Sequence, residues 1–144
     1  MRKKKFLIWV GILIWVIFLC NLLANHYFLY WRFWWMDIVM HFLGGFWLAL
    51  FGYYIIYLSN YKERFIKIVN KYSLVSISFF FVLSIGLLWE VYEFIFAFPL
   101  RFGYLFDTII DLIMDIVGWG VVYFVFLKNF WIASSQAPRE DGME

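Results

Sequence analysis

Long apolar runs separated by short polar segments are the dominant pattern of this chain. Crossing a bilayer as an α-helix takes roughly 20 mainly apolar residues, and such runs cover about residues 6–25, 36–58, 73–97 and 104–127. The pattern predicts an all-α integral membrane protein, a bundle of four transmembrane helices. We expect this transmembrane domain to occupy residues 1–130 and a short polar tail to follow over residues 131–144.

The composition excludes an ordinary soluble domain. Hydrophobic residues make up 66% of the 144 residues, aromatic residues 26% and charged residues only 15%, whereas soluble domains average about 25% charged residues. The length suits one compact bundle and is too short for a transporter built of large repeated halves. We therefore expect the lipid bilayer to be the main partner of the chain, and we expect no nucleic-acid partner.

The basic residues predict the orientation of the bundle. Lys and Arg concentrate in cytoplasmic segments of membrane proteins. If the amino terminus is cytoplasmic, only Arg32 and Arg101 of the 12 Lys and Arg residues fall on the outer side. This bias predicts a multi-pass protein of the cytoplasmic membrane with both termini in the cytoplasm.

The last apolar run contains a stripe of carboxylates. The stretch "DTIIDLIMDIVGWG", residues 107–120, places Asp107, Asp111 and Asp115 at intervals of four residues. At about 100° per residue these side chains share one face of a helix, and Gly118 lies on the same face. We expect this face to point into the bundle.

Two other runs carry ionisable pairs near the same depth. Asp37 and His41 are four residues apart, and Glu90 and Glu93 are three apart, so each pair can share a helix face. Counted from the outer helix ends, His41, Glu90 and Asp111 each lie about 7 to 11 Å deep. Three helices therefore bring ionisable groups to one level.

The energetics limit how these groups can be accommodated. An ionised Asp at the centre of a span costs roughly 2.5 to 3.5 kcal/mol on insertion scales, so these side chains should face inward. Protonation, pairing with Arg32 or Arg101, or a bound cation held by carboxylates and His41 would each offset the charge. Nearby basic residues are too few to neutralise the whole set, which favours shared protons or a cation.

The order of these motifs resembles that of VanZ-like membrane proteins. "MDIVMHFLGGFWLAL" resembles their D-x3-H-F opening of the second helix, and "LLWEVYEFIFAFPLRFGYLFDTIIDLIMDIVGWG" resembles their E-x2-Q, R and D-x3-N-x2-G-x-G pattern. The family positions fall on the following residues: Asp37, His41, Glu90, Arg101, Asp111, Gly118 and Gly120. Glu93 and Asp115 stand where the family has Gln and Asn, and Ile38 where a basic residue is common. The segments "WEVYEF" and "DTIIDLIMDIVG" are more similar to the YjdF-like branch of these proteins.

The resemblance implies a bacterial envelope protein. It also implies an effect on susceptibility to glycopeptide antibiotics. The leading hypothesis is an outer-facing polar cavity that binds an ion, a lipid headgroup or an envelope precursor. Its candidate residues are Asp37, His41, Glu90, Glu93, Arg101, Asp107, Asp111 and Asp115.

A metal-dependent enzyme acting on a lipid-linked substrate is one alternative. In it, His41, Glu90 and Asp111 hold a divalent cation, with Asp115 or Asp37 as proton acceptor. Arg101 then engages an anionic headgroup. Oxygen-rich ligands favour Mg²⁺, Ca²⁺ or Mn²⁺ over softer metals, and the chain lacks the motifs of standard zinc enzymes.

Other interpretations stay open. The carboxylates could form a hydrogen-bonded polar seam between helices without further chemistry, or belong to a proton or cation pathway. The inner halves of the spans lack a matching polar relay, which weakens the pathway hypothesis. Gly44, Gly45 and Gly118 are expected to allow close helix packing, because glycine lets spanning helices approach.

Overall fold

The computed structural model describes residues 3–55, 71–96 and 104–127. Over these residues the chain is helical, with short turns between some of the helices. The helices are α1 (Lys3–His26), α2 (Leu29–Arg32), α3 (Met36–Tyr53), α4 (Lys71–Phe96) and α5 (Tyr104–Val122), which continues as a π-helical turn over Tyr123–Leu127. The predicted tail, residues 131–144, and Arg101 lie outside the described residues.

Four helices are long and apolar enough to cross a membrane. They are α1, α3, the Val75–Phe96 part of α4, and α5 extended to Val125. The predicted all-α bundle of four membrane-spanning helices is therefore confirmed. The helix ends reflect local signals: Asp37 lies in the first turn of α3 and Asp107 in that of α5, where a carboxylate interacts favourably with the positive end of the helix dipole.

A tight turn joins α1 to the rest of the bundle. The backbone of Phe28 has a φ of 55°, a left-handed conformation that is unfavourable for residues other than glycine. The backbone N–H of Phe28 donates to Asn25 (3.2 Å), and the Tyr30 hydroxyl donates to the side-chain oxygen of Asn21 (2.7 Å). Burial raises the pKa of the Tyr30 hydroxyl above its ordinary value. These contacts fix the turn between α1 and α2, and α3 follows α2 along the chain.

Glycines allow the close approach of α3 and α5. A Cβ atom on Gly45 would overlap the backbone of Asp115, and one on Gly118 would overlap the Phe42 carbonyl and the Phe46 amide. A Cβ on Gly44 would meet only an ordinary contact, 3.9 Å from Asp115 Oδ1. The two helices run parallel with their backbones in contact, and this fixes the register between their side chains.

The bundle has two halves with different interiors. Towards the start of α1 the buried side chains are apolar except for Ser78. The apolar ones are Phe6, Val10, Ala49, Leu50, Val82 and Val122. We call this part the apolar half. The other part contains the start of α3, the end of α4 and the start of α5, and its buried side chains include ionisable groups. We call it the acidic end.

Candidate metal centre

His41 lies at the centre of the acidic end. Its Nδ1 lies 3.4 Å from Asp115 Oδ2 on α5. Its Nε2 lies 3.6 Å from Glu90 Oε1 on α4 and 3.9 Å from Asp37 Oδ1, one turn earlier on α3. Three helices therefore place carboxylates around one imidazole. We call these residues, together with Glu93 and Asp111, the His41 cluster.

Most of the His41 cluster is shielded from the surface. The exposed fractions are 6% for His41, 5% for Glu90, 2% for Asp111 and 4% for Asp115. The Asp37 side chain is 29% exposed. Asp37, at the start of α3, and the partly buried Glu93, near the end of α4, therefore form the more open side of the cluster.

Three buried polar atoms of this cluster have no hydrogen-bond partner among residues 3–55, 71–96 and 104–127. They are His41 Nε2, Glu90 Oε1 and Asp111 Oδ1, one from each of α3, α4 and α5. Leaving a buried polar group without a partner costs about 1 to 3 kcal/mol, and more when the group is charged. Three such atoms in one place call for an explanation, and a bound ion is one that native structures use.

Other side chains fix the orientation of Glu90. The Thr108 hydroxyl donates to Glu90 Oε2 at 2.7 Å, and the Tyr104 hydroxyl donates to the Glu90 backbone carbonyl at 2.8 Å. Glu93 accepts from the indole N–H of Trp89 at 2.9 Å. One carboxylate oxygen of Glu90 is thus held by α5, while the other faces His41.

A glycine on α4 makes room for Asp115. A Cβ on Gly86 would overlap Asp115 Oδ2 and would lie 3.2 Å from Leu112 Cδ2. With Gly45 against the Asp115 backbone and Gly86 against its carboxylate, Asp115 lies in a space that larger residues on α3 and α4 would close. We call this space the Asp115 socket.

The sequence analysis did not identify Thr108, Tyr104 or Gly86 as parts of the site. A signal for each was present in the four-residue spacing. Tyr104 and Thr108 continue the face of Asp111 and Asp115 towards the start of α5, and Gly86 is one turn before Glu90. Following the face of Asp111 and Asp115 two turns towards the start of α5, and the face of Glu90 one turn back along α4, would have found all three.

The donor atoms group into two triads that share the imidazole. One ligand atom each from Asp37, His41 and Asp111 lie within 4.8 Å of one another, and so do those from His41, Glu90 and Glu93. Glu90 and Asp111, which the sequence analysis combined with His41, therefore belong to different triads. Oxygen-rich sets with one imidazole suit Mg²⁺, Ca²⁺ or Mn²⁺.

Other predicted cavity residues lie outside this arrangement. Asp107 is exposed, one turn before Asp111, and belongs to neither triad. Arg101 lies outside the described residues. Within residues 3–55, 71–96 and 104–127, no Lys or Arg forms an ion pair with Glu90, Asp111 or Asp115. Among the described residues, the charges of these buried carboxylates are therefore not neutralised by a basic side chain.

A comparison with known families identifies a family to which this chain is similar. A family model described as a predicted membrane protein, DUF2238, matches residues 1–130. No curated protein and no solved structure matches the chain. The resemblance to VanZ-like proteins, and to their YjdF-like branch, stays a prediction.

Proposed function

This chain belongs to the DUF2238 family of predicted membrane proteins, and we propose that it holds a divalent cation at the His41 cluster. The observation that carries the proposal is the set of unpartnered buried atoms on three helices, His41 Nε2, Glu90 Oε1 and Asp111 Oδ1. A cation beside the imidazole would take a lone pair from His41 together with Glu90 in one triad or Asp111 in the other. Its charge would also stabilise the remaining buried carboxylate.

The charge balance favours a cation over a set of protein ion pairs. His41 supplies at most one positive charge, whereas Glu90, Asp111 and Asp115 are all buried carboxylates. Burying an unpaired charge is costly, and within the described residues these three have no Lys or Arg partner. A bound divalent cation adds the missing positive charge.

The open side of the cluster supports a ligand beyond the cation. Ca²⁺ takes about 6 to 8 oxygen ligands and Mg²⁺ keeps several waters, so a triad of side chains leaves coordination positions for water or an anionic group. Asp37, 29% exposed, lies on that open side. An anionic lipid headgroup or envelope precursor would enter there.

An enzyme acting on a lipid-linked substrate would use the same carboxylates. We favour binding, because the geometry of the cluster is explained by a bound cation without a catalytic step. A conducting pathway has less support, because the buried residues described in the apolar half are apolar except for Ser78, and none of them is ionisable. Comparing glycopeptide susceptibility between a deletion strain and its complemented form tests the phenotype that the VanZ resemblance implies.

The proposal places the acidic end on the outer side of the cytoplasmic membrane, with both termini in the cytoplasm. Lys3, Lys4 and Lys5 begin α1 at the opposite end, as the positive-inside rule favours. In a Cys20→Ser background, a cysteine at Trp34 should react with a membrane-impermeant maleimide in intact cells, and a cysteine at Lys4 should not. The reverse pattern would overturn this orientation.

Calorimetric titration of the purified protein in detergent with Mg²⁺, Ca²⁺ and Mn²⁺ tests the cation site. We expect saturable binding of at least one cation to the wild type and its loss in His41→Ala, Glu90→Gln and Asp111→Asn. Asp107→Asn is the matched control, since it removes the same charge from the same face of α5 outside the cluster, and it should bind as the wild type does. Absence of binding to the wild type would refute the proposal and leave a proton-sharing polar seam.

A further inference from the structure

We infer that Asp115 is a positioning residue that fixes the orientation and tautomer of His41, so that Nε2 is the nitrogen available to the cation. This inference rests on the proposed function, because the role that it assigns to Nε2 is to bind the proposed cation. Asp115 then acts through His41 and is not itself a ligand.

The geometry around the imidazole separates the two nitrogens. Nδ1 lies 3.4 Å from Asp115 Oδ2. An ionised carboxylate can only accept there, so this contact favours the tautomer of the neutral ring that carries its proton on Nδ1. Nε2 points to the other side, towards Glu90 Oε1 at 3.6 Å and Asp37 Oδ1 at 3.9 Å, and has no hydrogen-bond partner. Metal-binding histidines commonly donate their second ring N–H to a carboxylate, which sets the tautomer and the ring orientation.

The two donor triads agree with this division. Both include His41, and neither includes Asp115, although Asp115 makes the shortest of the three recorded His41 contacts with carboxylates. Asp115 is therefore close to the imidazole and outside the group of atoms that could surround one ion. This is the position expected of a residue behind a ligand.

The Asp115 socket holds the carboxylate in this place. Gly45 lies against the Asp115 backbone on the α3 side, and Gly86 lies against its carboxylate on the α4 side. A side chain at either position would require Asp115 to move. Two glycines on different helices thus leave the space in which the Asp115 carboxylate lies next to the His41 imidazole.

Nitrogen-15 NMR of labelled histidine reads the tautomer directly. The chain contains two histidines, so His26→Gln leaves His41 as the single signal. At a pH where the imidazole is neutral, we expect the proton on Nδ1 in the His26→Gln protein. We expect a second form with the proton on Nε2 in the added Asp115→Asn variant, because an amide can either donate to or accept from Nδ1. An unchanged Nδ1–H signal in Asp115→Asn would overturn the inference.

Cation affinity gives the second readout. Loss of such a supporting residue typically weakens metal binding about 10- to 100-fold, and we expect this for Asp115→Asn with Asp107→Asn unchanged. Gly86→Ala tests the same point without altering any charge, because its new methyl group displaces the Asp115 carboxylate. Gly52→Ala is its control, since a Cβ there meets nothing within 4 Å.

The outcomes separate this inference from the proposed function. If the wild type binds a cation and Asp115→Asn changes neither the tautomer nor the affinity, the positioning role is wrong and the cation site stands. If the wild type binds no cation, the proposed function is wrong, and the tautomer of the cation-free protein still decides whether Asp115 orients His41. If Gly86→Ala does not fold, Asp115→Asn alone decides the inference.

Discussion

The two halves of the bundle treat their buried polar groups in opposite ways. In the apolar half the indole N–H of Trp47 donates to the Val10 carbonyl at 2.8 Å. The indole N–H of Trp119 donates to Ser78 Oγ at 3.1 Å, and that hydroxyl donates to the Val75 carbonyl at 2.9 Å. These polar groups are few, neutral and each satisfied within the protein.

The acidic end is also built from α3, α4 and α5, and its buried side chains are less exposed than Trp47 and Trp119. Within the described residues, polar atoms on His41, Glu90 and Asp111 nevertheless lack hydrogen-bond partners. A chain that satisfies Trp47, Ser78 and Trp119 has the means to satisfy buried groups. The contrast teaches that burial alone does not explain the acidic end. The proposed cation would give its unsatisfied atoms a partner.

The largest expected effect comes from disrupting the contact between α3 and α5, which both halves of the bundle share. Gly118→Val puts a branched side chain against the backbone of α3 at Phe42 and Phe46, and backbone atoms cannot move aside as a flexible side chain can. We expect a loss of about 3 kcal/mol in the free energy of unfolding, at the upper end of overpacking costs. Thermal or denaturant unfolding in detergent measures it. Gly52→Val is the control, and equal losses in both variants would contradict the described contact between α3 and α5.

The next effect belongs to the acidic end alone. A ligand present at 100 times its Kd stabilises the folded state by about 2.7 kcal/mol, so the binding cation should raise the unfolding temperature of the wild type. Asp111→Asn should abolish that increase, because it removes the negative charge of the carboxylate that carries the unpartnered Oδ1. An increase of the same size in Asp111→Asn would show that the cation stabilises the protein elsewhere.

A smaller effect is expected in the apolar half. Ser78→Ala removes the acceptor of the partly buried Trp119 indole N–H, at a cost of about 1 kcal/mol. Unfolding in detergent measures this loss, and cation affinity should not change. Ser84→Ala, at an exposed position of α4, is the matched control. A change in cation affinity in Ser78→Ala would mean that the two halves are coupled.

The smallest effect sharpens the boundary of the acidic end. Asp107→Asn alters an exposed residue on α5, and exposed substitutions usually change stability by less than about 0.5 kcal/mol. Both the unfolding temperature and the cation affinity should equal those of the wild type within error. If Asp107→Asn weakened binding as much as Asp111→Asn, the whole stripe and not its buried part would form the site.

The fold was predictable because it depends on properties that lie along the chain. Run length and hydropathy decide whether a segment can span a bilayer, and these gave the four spanning helices that the structure contains. Periodicity also placed Asp111 and Asp115 on one helix face, and counting from the helix ends gave similar depths for His41, Glu90 and Asp111.

The register between helices could not be predicted in the same way. It depends on backbone contacts, here those of Gly45 and Gly118, which decide that His41 meets Asp115 while Asp107 stays outside. A shift of one turn, about 5.4 Å, would bring different carboxylates to the imidazole. Gly86 was missed for the same reason, because its importance depends on the side chain that approaches from α5.

Pulsed electron paramagnetic resonance of bound Mn²⁺ tests the central claim most directly, since it detects nitrogen nuclei coordinated to the ion. In the His26→Gln protein labelled with ¹⁵N-histidine, we predict a modulation from one coupled imidazole nitrogen, which disappears in His41→Ala. A Mn²⁺ signal equal to that of the hydrated ion, or a nitrogen modulation that persists without His41, would contradict the account.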